Sequence, residues 1–515
     1  MDSPQKQRVC ISLCEQTLIA LELAIARAVA ESDLIEVRLD CFDPLELETE
    51  SLAIESAVEC SGAESILTFR PAEQGGRLAL DYAARYLFWN SRIAWASNNF
   101  FDIELDVVEG LASSNPLPLT ALDWSRIICS HHDYVGVPAN LNEIYRRMAG
   151  TPAHVLKIAV QVDDAIECLA LFKLLTYASQ DGREMIAIAM GSAGIVTRIL
   201  GPSRGAFLTY ASLDDENVTA PGQMSATELR ELYRVEKIDR QTQIFGLIGQ
   251  PVLHSLSPRM HNAAFAATGT NAVYIPFETR DVKGFIKQMV HPQTRELDWN
   301  LRGLSVTAPH KSNVMGHLDW IEPAAREIGA VNTIVVEDDA LHGYNTDAQG
   351  FMEPLAKMYG ELRGARCAII GAGGAARAAL WSLKQARASV TIFARDAAKA
   401  GDLRDAFECE PVPLEAARFE GFDVVVNATP SGTRGQFENE APATASQLRG
   451  ARLVYDLVYN PTETRFLLEA REAGCQTLSG LSMLVAQAAA QFKLWTGTMA
   501  PTIVMHEAAI KGLKK

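Results

Sequence analysis

The stretch His154-Val-Leu-Lys157-Ile-Ala-Val160 decides the fold of the first half of this chain. It is a short apolar run, and seven comparable runs occur in the first 215 residues, each separated from the next by a segment long enough for a helix. They lie at 9–14, 34–40, 65–70, 101–105, 126–131, 184–190 and 206–212. Eight strand–helix repeats of this length predict an α/β fold of the (β/α)8 TIM-barrel class, in which chemistry lies at the C-terminal ends of the strands.

Lys157 lies inside this otherwise apolar run. Burial disfavours the ammonium form, so the lysine could supply a free amine that attacks a ketone, or it could reach water at the barrel rim. The preceding run ends in Ser130-His-His-Asp133, and histidine suits proton transfer near neutral pH. Arg38, Arg70 and Arg198 also fall near strand ends and predict a clamp for a carboxylate. Together these groups favour the reactive amine.

Length and composition set the broad class of the protein. A chain of 515 residues predicts two or three domains, and a net charge of -16 argues against nucleic acid or an anionic membrane as a partner. Small-molecule partners are therefore expected, and the oligomeric state stays open. Nine cysteines at scattered spacings, of which Cys10 and Cys14 are closest, predict free thiols and no metal site. The short polar N-terminus and the absence of a long apolar span predict a cytoplasmic protein.

The pattern changes after the charged segment at 228–243, which predicts a last barrel helix and a linker. Mixed α/β segments continue to about Asp347. A strand at 367–371, a glycine-rich turn, a helix and further strands at 389–395 and 423–428 then follow the order of a nucleotide-binding fold. We predict domains at 1–240, 241–347 and 348–515, with the final helix returning to the middle domain.

The glycine-rich turn is a candidate cofactor site. Glycines let the backbone approach a pyrophosphate, which the N-terminus of the following helix attracts. Arg395 and Lys399 follow the next strand, where an NAD site has an acidic residue, and they suit a 2′-phosphate; a solvated helix start would also explain them. We therefore predict NADP as the cofactor, bound at Gly371, Ala372, Gly373, Gly374 and Ala375.

A lysine and a carboxylate precede this turn. Hydride delivery to a ketone needs a proton donor at the developing alkoxide, and a lysine beside an aspartate can serve. Thr307-Ala-Pro-His-Lys311 and Asn345-Thr-Asp347 supply the two groups, and Ser255-Leu-Ser257 places two hydroxyls on one side of an extended stretch. A helix start, a turn or a cap would explain each piece separately.

The residues of the first half resemble type I 3-dehydroquinate dehydratase over 8–225. The matching stretches are Glu36-Val-Arg-Leu-Asp40, Thr68-Phe-Arg70, Ser130-His-His-Asp-Tyr134, Lys157-Ile-Ala, Met190-Gly191, Thr197-Arg198 and Ala220-Pro-Gly-Gln223. The resemblance implies that Lys157 forms a Schiff base and that His132 is the general acid and base. It also implies substrate contacts at Glu36, Arg38, Arg70, Arg198, Thr219 and Gln223, with Thr219 at a position that the family often fills with serine.

One departure concerns the loop after the third strand. The family often has Glu immediately before Gly-Gly, where it helps to position the histidine, whereas this chain has Gln74 there and Glu73 one residue earlier. Either a neutral hydrogen bond from Gln74 positions the histidine, or the dehydratase is slowed. A sensor or scaffold with an inactive barrel is the non-enzyme alternative, and the presence of both Lys157 and His132 argues against it.

The second half resembles shikimate dehydrogenase over about 244–500. The matching stretches are Gly249-Gln-Pro251, Ser255-Leu-Ser-Pro258, Val306-Thr-Ala-Pro-His-Lys311, Gly329-Ala-Val-Asn-Thr333, Gly343-Tyr-Asn-Thr-Asp347, the turn from Gly371 to Arg377, Asn427-Ala-Thr429, Asp456-Leu-Val-Tyr459 and Gly480-Leu-Ser-Met-Leu-Val-Ala-Gln487. The resemblance implies a two-domain enzyme, with a substrate domain and a Rossmann NADP domain, and Lys311 with Asp347 as its catalytic pair. It implies substrate ligands at Ser255, Ser257, Thr307, Asn332, Tyr459 and Gln487, and cofactor contacts at Asn427 and Thr429.

Ser305 stands where many relatives have Asn, and we expect a modest change in loop anchoring there. The two resemblances fit together, because 3-dehydroshikimate is the product of the first reaction and the substrate of the second. They imply a bifunctional enzyme, a lyase and an NADP-dependent oxidoreductase, of the shikimate pathway. The alternative is a second half that prefers quinate or NAD.

Overall fold

The computed structural model describes residues 7–92, 99–113, 123–394, 401, 403–404, 407 and 411–514. The chain forms two compact units. The first comprises the residues up to Thr242 together with Phe277–Met289 and Glu296–Trp299, and the second comprises Gln243–Pro276, Val290–Arg295 and Asn300–Lys515.

Eight parallel strands form the sheet of the first unit, as the repeated apolar runs predict. They are β1 (Val9–Leu13), β2 (Leu34–Arg38), β3 (Glu64–Thr68), β4 (Asn99–Glu104), β5 (Ile127–Asp133), β6 (Val155–Gln161), β7 (Glu184–Met190) and β8 (Thr209–Ala211). Their order is β7-β6-β5-β4-β3-β2-β1-β8, and a parallel bridge between Met185 and Ala206 links the two ends of the sheet. The predicted barrel is confirmed.

Helices alternate with these strands. They are α1 (Leu18–Glu31), α2 (Pro44–Thr49), α3 (Ser51–Cys60), α4 (Tyr82–Arg92), α5 (Leu105–Ser113), α6 (Leu141–Ala149), α7 (Cys168–Gln180) and α8 (Ile195–Leu200). Because helices cover the outside and side chains fill the inside, nearly every strand residue is buried.

The interior of the barrel changes character along its axis. One layer is apolar and includes Cys10, Leu34, Ile66, Phe100 and Ile186. Farther along the strands, buried polar side chains replace apolar ones, namely Ser12, Glu36, Thr68, Asp102, Ser130 and Lys157. Since all eight strands run the same way, these polar residues form a layer inside the barrel, on the C-terminal side of the apolar one.

The second unit contains two sheets. The first has the order β10-β9-β11-β13-β14-β12 and combines parallel with antiparallel pairs; the strands are β9 (Gln243–Gly249), β10 (Ala272–Glu278), β11 (Leu301–Val306), β12 (Trp320–Ile321), β13 (Thr333–Glu337) and β14 (Ala340–Tyr344). Helices α9 (Ser257–Thr268) and α11 (Pro323–Ile328) also belong to the second unit, whereas α10 (Val282–Phe285) belongs to the first.

The other sheet is fully parallel, with the order β17-β16-β15-β18-β19-β20 that the predicted Rossmann-type fold requires. Its strands are β15 (Arg366–Ile370), β16 (Ser389–Ala394), β17 (Pro411–Pro413), β18 (Val424–Asn427), β19 (Leu453–Asp456) and β20 (Gln476–Ser479). Among the described residues, the helices with defined bounds in this part are α12 (Asp347–Tyr359), α13 (Gly374–Gln385), α14 (Ala445–Leu448), α15 (Arg465–Glu472), α16 (Gly480–Thr496) and α17 (Thr502–Leu513). Met505 and Ala509 of α17 share a core with Met260 of α9 and Phe245 of β9.

One local expectation is wrong, and another is met only in part. Cys14 and Cys41 form a disulfide instead of being free thiols, because β1 and β2 are neighbours and bring the two Cα atoms to 5.3 Å although 27 residues separate them in sequence. The segment at 228–243 begins with a short π-helical stretch (Glu228–Leu232) and continues with a 3-10 turn (Val235–Lys237), so the expected last helix is present but short. The predicted domain boundaries stay a prediction.

Candidate active sites

Three polar side chains surround the amine of Lys157. Nζ lies 2.7 Å from Oδ2 of Asp102, 2.9 Å from the hydroxyl of Tyr210 and 3.3 Å from Oε1 of Glu36. An ammonium group has three N–H donors, so this environment satisfies all of them. The lysine that the sequence places in an apolar strand therefore lies among carboxylates inside the barrel.

A second set of ion pairs supports this arrangement from β4. Arg70 lies 2.6 Å from Asp102 and 2.7 Å from Glu104, and it also donates to the hydroxyl of Ser130 at 2.7 Å. Although burial alone would raise the pKa of Asp102, the charges of Arg70 and Lys157 hold it well below its ordinary value. Burial raises the pKa of Glu104 to about 7 in spite of Arg70. Asp102 is therefore ionised and links the lysine to the arginine.

His132 lies at the end of β5, beside the strand that carries Lys157. Its backbone amide donates to Oε1 of Gln74 at 3.1 Å, whereas its buried Nδ1 has no hydrogen-bond partner among the described residues. Burial, followed by the charges of Arg70 and Lys157, holds the pKa of His132 well below its ordinary value. The imidazole is therefore neutral near pH 7 and can accept a proton.

The three arginines predicted as an anion clamp differ in their partners. Arg38 makes a bidentate pair with Asp40 at 2.9 and 2.8 Å, and Arg70 is paired as described above. Arg198 is 1% exposed, and within the described part of the chain it has no carboxylate partner. Burial lowers its pKa to about 10, so it stays charged at neutral pH. Arg198 is thus the cation best placed to bind a substrate anion.

A loop after β8 carries the remaining predicted contacts. The backbone amide and hydroxyl of Thr219 donate to Oε1 of Gln223 at 2.8 and 2.9 Å, and the carbonyl of Pro221 accepts from the amide of Gly191 at 3.0 Å. Gly222 has a φ of +69°, and an added Cβ would lie 2.1 Å from the carbonyl oxygen of Gly191. Only glycine allows the loop to lie this close to the barrel rim.

All eight residues that the sequence assigns to this site line one cavity, namely Glu36, Arg38, Arg70, His132, Lys157, Arg198, Thr219 and Gln223. Gln74, Tyr134 and Tyr210 also line it. Sequence reasoning missed Asp102 and Tyr210. For Asp102 a signal was present, because Asp102 and Glu104 alternate within an otherwise apolar strand and so share one face.

The second site lies in the other unit, where Lys311 and Asp347 meet. Nζ of Lys311 lies 2.5 Å from Oδ2 of Asp347, and Nδ2 of Asn332 donates to Oδ1 of the same carboxylate at 2.8 Å. Asn332 is itself held by the amide of Thr346, which donates to its Oδ1 at 2.8 Å. Asp347 opens α12, and its carboxylate is fixed on both oxygens before any ligand binds.

The other predicted substrate ligands lie on elements next to this pair. Ser255 and Ser257 stand at the start of α9, where the hydroxyl of Ser255 accepts from the amide of Ser257 at 3.2 Å. The amide of Thr307 donates to the carbonyl of Ile248 at the end of β9. Gln487 packs against Gly350 of α12, and an added Cβ on that glycine would lie 2.6 Å from the Cβ of Gln487. Tyr459 packs on the core formed by α9 and α16.

Ser305 joins a buried hydrogen-bond chain. Its hydroxyl accepts from Tyr274 at 2.7 Å and donates to Oε1 of Gln491 at 2.9 Å, and Nε2 of Gln491 donates to the hydroxyl of Thr333 at 3.1 Å. Thr333 in turn donates to Oδ1 of Asn332 at 2.8 Å. The short serine thus reaches Asn332 through Gln491 and Thr333, and Tyr274 stands at the other end of the chain. Sequence reasoning singled out neither Tyr274 nor Gln491.

The glycine-rich turn lies against the catalytic pair. Gly371 has a φ of +118°, and an added Cβ would lie 2.9 Å from the carbonyl oxygen of Ala428. Nothing lies within 4 Å of a Cβ added at Gly373, which caps α13, and a Cβ added at Gly374 would lie 3.5 Å from Cδ of Lys311. The bare backbone of Gly371-Ala372-Gly373-Gly374-Ala375 at a helix N-terminus fits the pyrophosphate of a dinucleotide.

Asn427 and Thr429 lie beside this turn at the end of β18. Oδ1 of Asn427 accepts from the amide and the hydroxyl of Thr429 at 3.0 and 2.6 Å, and Nδ2 donates to Asp456 at 2.9 Å. Arg395 and Lys399, the residues predicted to bind a 2′-phosphate, lie outside the described residues.

Within the described ranges, no group of three or more His, Cys, Asp or Glu side chains is placed to hold a metal ion. No helix in the described part is long and apolar enough to cross a membrane.

Comparison with known proteins matches the two halves of the chain to different families. Residues 9–240 match the family described as type I 3-dehydroquinase. Residues 247–334 match the shikimate dehydrogenase substrate binding domain, 354–461 the shikimate / quinate 5-dehydrogenase family, and 480–510 the shikimate 5′-dehydrogenase C-terminal domain.

Two relatives and one solved structure illustrate the similarity. The chain is 31% identical over 493 residues to a chloroplastic bifunctional 3-dehydroquinate dehydratase/shikimate dehydrogenase of Arabidopsis thaliana, covering 91% of this chain and 78% of the relative. It is 42% identical over 280 residues to an NADP(+) shikimate dehydrogenase of Moorella thermoacetica, covering 52% of this chain and 93% of the relative. A crystal structure of a shikimate dehydrogenase in complex with NADP+ matches 54% of this chain and 98% of its own, with 36% identity and a TM-score of 0.50.

Proposed function

This chain belongs to the family of bifunctional 3-dehydroquinate dehydratase/shikimate dehydrogenases, and we propose that Lys157 and His132 run its first reaction while Lys311 and Asp347 run its second. The protein is a lyase that dehydrates 3-dehydroquinate to 3-dehydroshikimate and an oxidoreductase that reduces 3-dehydroshikimate to shikimate, with NADP as its cofactor. Both reactions are steps of the shikimate pathway.

In the dehydratase, the amine of Lys157 attacks the substrate ketone. The C–N bond forms as the carbonyl oxygen leaves as water, so that a ketone and an ammonium group give a protonated imine and water with no net change in protons. The imine acidifies the neighbouring C–H bond. His132, neutral because its pKa is low, removes this proton and returns one to the departing β-hydroxyl. Hydrolysis of the imine then releases product and restores the lysine.

Substrate binding falls to the groups around the cavity. Arg198 takes the substrate carboxylate, because it is buried, charged and without a carboxylate of its own in the described chain. Thr219 and Gln223 lie on the loop that follows β8 and contact the substrate from above. Glu36 and Arg38 bind ring hydroxyls, and Arg70 keeps Asp102 ionised beside the lysine.

In the dehydrogenase, Lys311 donates the proton that the developing alkoxide needs. Asp347 holds the ammonium group at 2.5 Å and is itself oriented by Asn332, so the donor is in place before the reaction. Ser255, Ser257, Thr307, Tyr459 and Gln487 bind the hydroxyls and carboxylate of the substrate. When bound, NADPH supplies the hydride. Gly371 to Ala375 would hold its pyrophosphate, Asn427 and Thr429 would lie beside it, and Arg395 with Lys399 would bind the 2′-phosphate.

One observation carries the proposal for the barrel. The amine of Lys157, the imidazole of His132 and the guanidinium of Arg198 line a single cavity, which unites a nucleophile, a base and an anion site. Borohydride added with 3-dehydroquinate should leave a stable adduct on Lys157, identified by peptide mass spectrometry. Absence of the adduct would remove the Schiff-base step.

One assay, the absorbance of NADPH, follows both activities. Mixing the purified chain and NADPH with 3-dehydroquinate should consume NADPH, with 3-dehydroshikimate as the parallel control. Loss of NADPH absorbance with 3-dehydroshikimate alone would mean that the barrel is impaired and the dehydrogenase intact.

A cytoplasmic location is also proposed. The Arabidopsis relative is named as chloroplastic, so cell fractionation is the test.

A further inference from the structure

Tyr210 is a buried phenol next to the nucleophile with no part in the reaction described above. It lies on β8 and is 6% exposed, and its hydroxyl oxygen is 2.9 Å from Nζ of Lys157. Nζ also lies 4.2 Å from the centroid of its ring. Burial, followed by the charge of Glu36, raises the pKa of Tyr210 well above its ordinary value, so the hydroxyl keeps its proton at neutral pH.

The number of hydrogen bonds at Nζ changes when the lysine becomes reactive. The ammonium form donates three, to Asp102 at 2.7 Å, Tyr210 at 2.9 Å and Glu36 at 3.3 Å. The neutral amine has only two N–H donors and one lone pair. Asp102 and Glu36 are carboxylates and therefore the stronger acceptors, so they keep the two N–H groups, and the lone pair faces the hydroxyl of Tyr210, which keeps its proton and can donate to it.

The position beside Tyr210 opens into the cavity. Glu36 and Tyr210 line the cavity wall, whereas Asp102 is fully buried behind it. An amine whose N–H groups bind Asp102 and Glu36 and whose lone pair accepts from Tyr210 therefore keeps that lone pair on the cavity side, where the ketone carbon can replace the phenol hydrogen. Rotation about the last bonds of the lysine side chain would otherwise let the lone pair point in several directions.

We propose that Tyr210 is a positioning residue of the dehydratase: its hydroxyl fixes the orientation of the neutral Lys157 amine for attack on the ketone. The inference rests on the proposed Schiff-base step. Tyr210 is itself well fixed, because β8 pairs with β1 through Cys10 and because the backbone carbonyl of Tyr210 accepts from Arg198 at 3.4 Å. The same residue thereby links the nucleophile to the group that binds the substrate carboxylate.

Tyr210→Phe is the informative variant, because it keeps the ring beside Nζ and removes only the hydroxyl. Tyr145→Phe is the matched control. Tyr145 lies in α6, is equally buried at 5% exposed, and donates its hydroxyl to Asp181 at 2.6 Å, away from the cavity. Both variants lose one buried phenol hydrogen bond, and only the first touches the lysine.

The experiment mixes each protein with 3-dehydroquinate, quenches with borohydride at increasing times, and measures the adduct on Lys157 by mass spectrometry. We expect the rate of adduct formation in Tyr210→Phe to fall about tenfold, with a matching fall in dehydratase kcat and a KM within about threefold of the unchanged chain. Tyr145→Phe should react at the unchanged rate. The rate of 3-dehydroshikimate reduction by the dehydrogenase half should be equal in all three proteins, which would show that they are folded.

Different results overturn different statements. Adduct formation at the unchanged rate in Tyr210→Phe would overturn the positioning role. A rise in KM with kcat preserved would overturn it as well, because the hydroxyl would then contact the substrate and not direct the amine. If the unchanged chain gave no adduct at all, the Schiff-base proposal itself would fail, and the inference with it.

Discussion

The side-chain carbonyl of Gln74 accepts a hydrogen bond from the backbone amide of His132, with 3.1 Å between the two heavy atoms. The neutral glutamine therefore fixes the backbone that carries the base and leaves the ring nitrogen Nδ1 without a partner in the described chain. The carboxylate expected at this position would accept the same hydrogen bond and add a negative charge next to the imidazole. Gln74 thus retains the positioning and omits the charge.

Gln74→Glu should change the pH dependence of the dehydratase. A nearby carboxylate stabilises the imidazolium form and so raises the pKa of His132, which burial and two cations now hold low. Since the neutral ring is the base, the acidic limb of the kcat profile should move to higher pH, by about one unit. Glu73→Gln, a charge change at the exposed neighbouring position, should leave the profile in place. If the acidic limb of the kcat profile stayed at the same pH in Gln74→Glu, the new carboxylate would not reach His132.

Asp102→Asn should lower both the stability and the activity of the barrel, although asparagine has nearly the same shape as aspartate. Asp102 lies 2.7 Å from Nζ of Lys157 and 2.6 Å from Arg70, so its loss leaves two buried cations without their shared counter-charge. We expect about 3 kcal/mol of destabilisation and loss of most dehydratase activity. Thermal inactivation should be measured separately for the two activities, because the chain forms two units and need not unfold in one step.

The control for this variant is Asp106→Asn, which breaks the pair with Arg85 at a side chain that is 47% exposed. It should cost less than about 1 kcal/mol. Equal inactivation temperatures for the dehydratase in Asp102→Asn and Asp106→Asn would contradict a structural role for Asp102. In both variants the dehydrogenase should inactivate at its unchanged temperature.

The barrel and the contents of its site were largely readable from the sequence. Eight apolar runs repeat at helix spacing, and parallel strands bring their C-terminal ends to one rim, so residues as distant as Glu36 and Arg198 were predicted to meet. Their partners were not readable. Arg70 is predicted to bind the substrate and lines the cavity, but its ion pairs with Asp102 and Glu104 have no signal in the sequence, because the register of β3 and β4 sets which side chains face each other inside the barrel.

The same limit explains the disulfide. Cys14 and Cys41 have no meaningful spacing in sequence, and only the pairing of β1 with β2 brings them together. In the second unit, the motifs around Lys311 and Asp347 predicted the pair, whereas the chain from Ser305 through Gln491 depends on how α16 packs on β11 and β13. Long-range packing of this kind has no local pattern that a single sequence reveals.

Lys311→Met should remove the proton donor of the dehydrogenase while keeping the bulk of the side chain. We expect kcat for reduction of 3-dehydroshikimate to fall by about 10² to 10⁴, the usual contribution of a positioned acid, with a smaller change in KM. Lys357→Met is the control, because Lys357 lies exposed on α12 and pairs with Glu353. NADPH absorbance measures the effect, and dehydratase turnover should be unchanged in both variants. A kcat lowered less than about tenfold would assign the proton to another group.

His261 should make the second unit sensitive to acid. It is fully buried in α9, stacks on Tyr274 with the ring centroids 4.5 Å apart, and burial lowers its pKa to about 3. In the unfolded chain its pKa is about 6.5, so between these two values the unfolded state binds the extra proton and stability falls as the pH falls. The expected loss is about 1.4 kcal/mol per pH unit below 6.5, or roughly 2 kcal/mol at pH 5.

Hydrogen exchange of peptides from α9 at pH 7 and pH 5, corrected for the intrinsic exchange rates, measures this loss directly. His261→Phe keeps a stacked ring and removes the titration, so its α9 peptides should lose about 2 kcal/mol less protection between the two pH values than those of the unchanged chain. Barrel peptides from β6 serve as the internal reference and should respond alike in both proteins. If α9 loses equal protection with histidine and with phenylalanine, the acid sensitivity of this unit comes from other groups, and His261 is protonated without cost in the folded state.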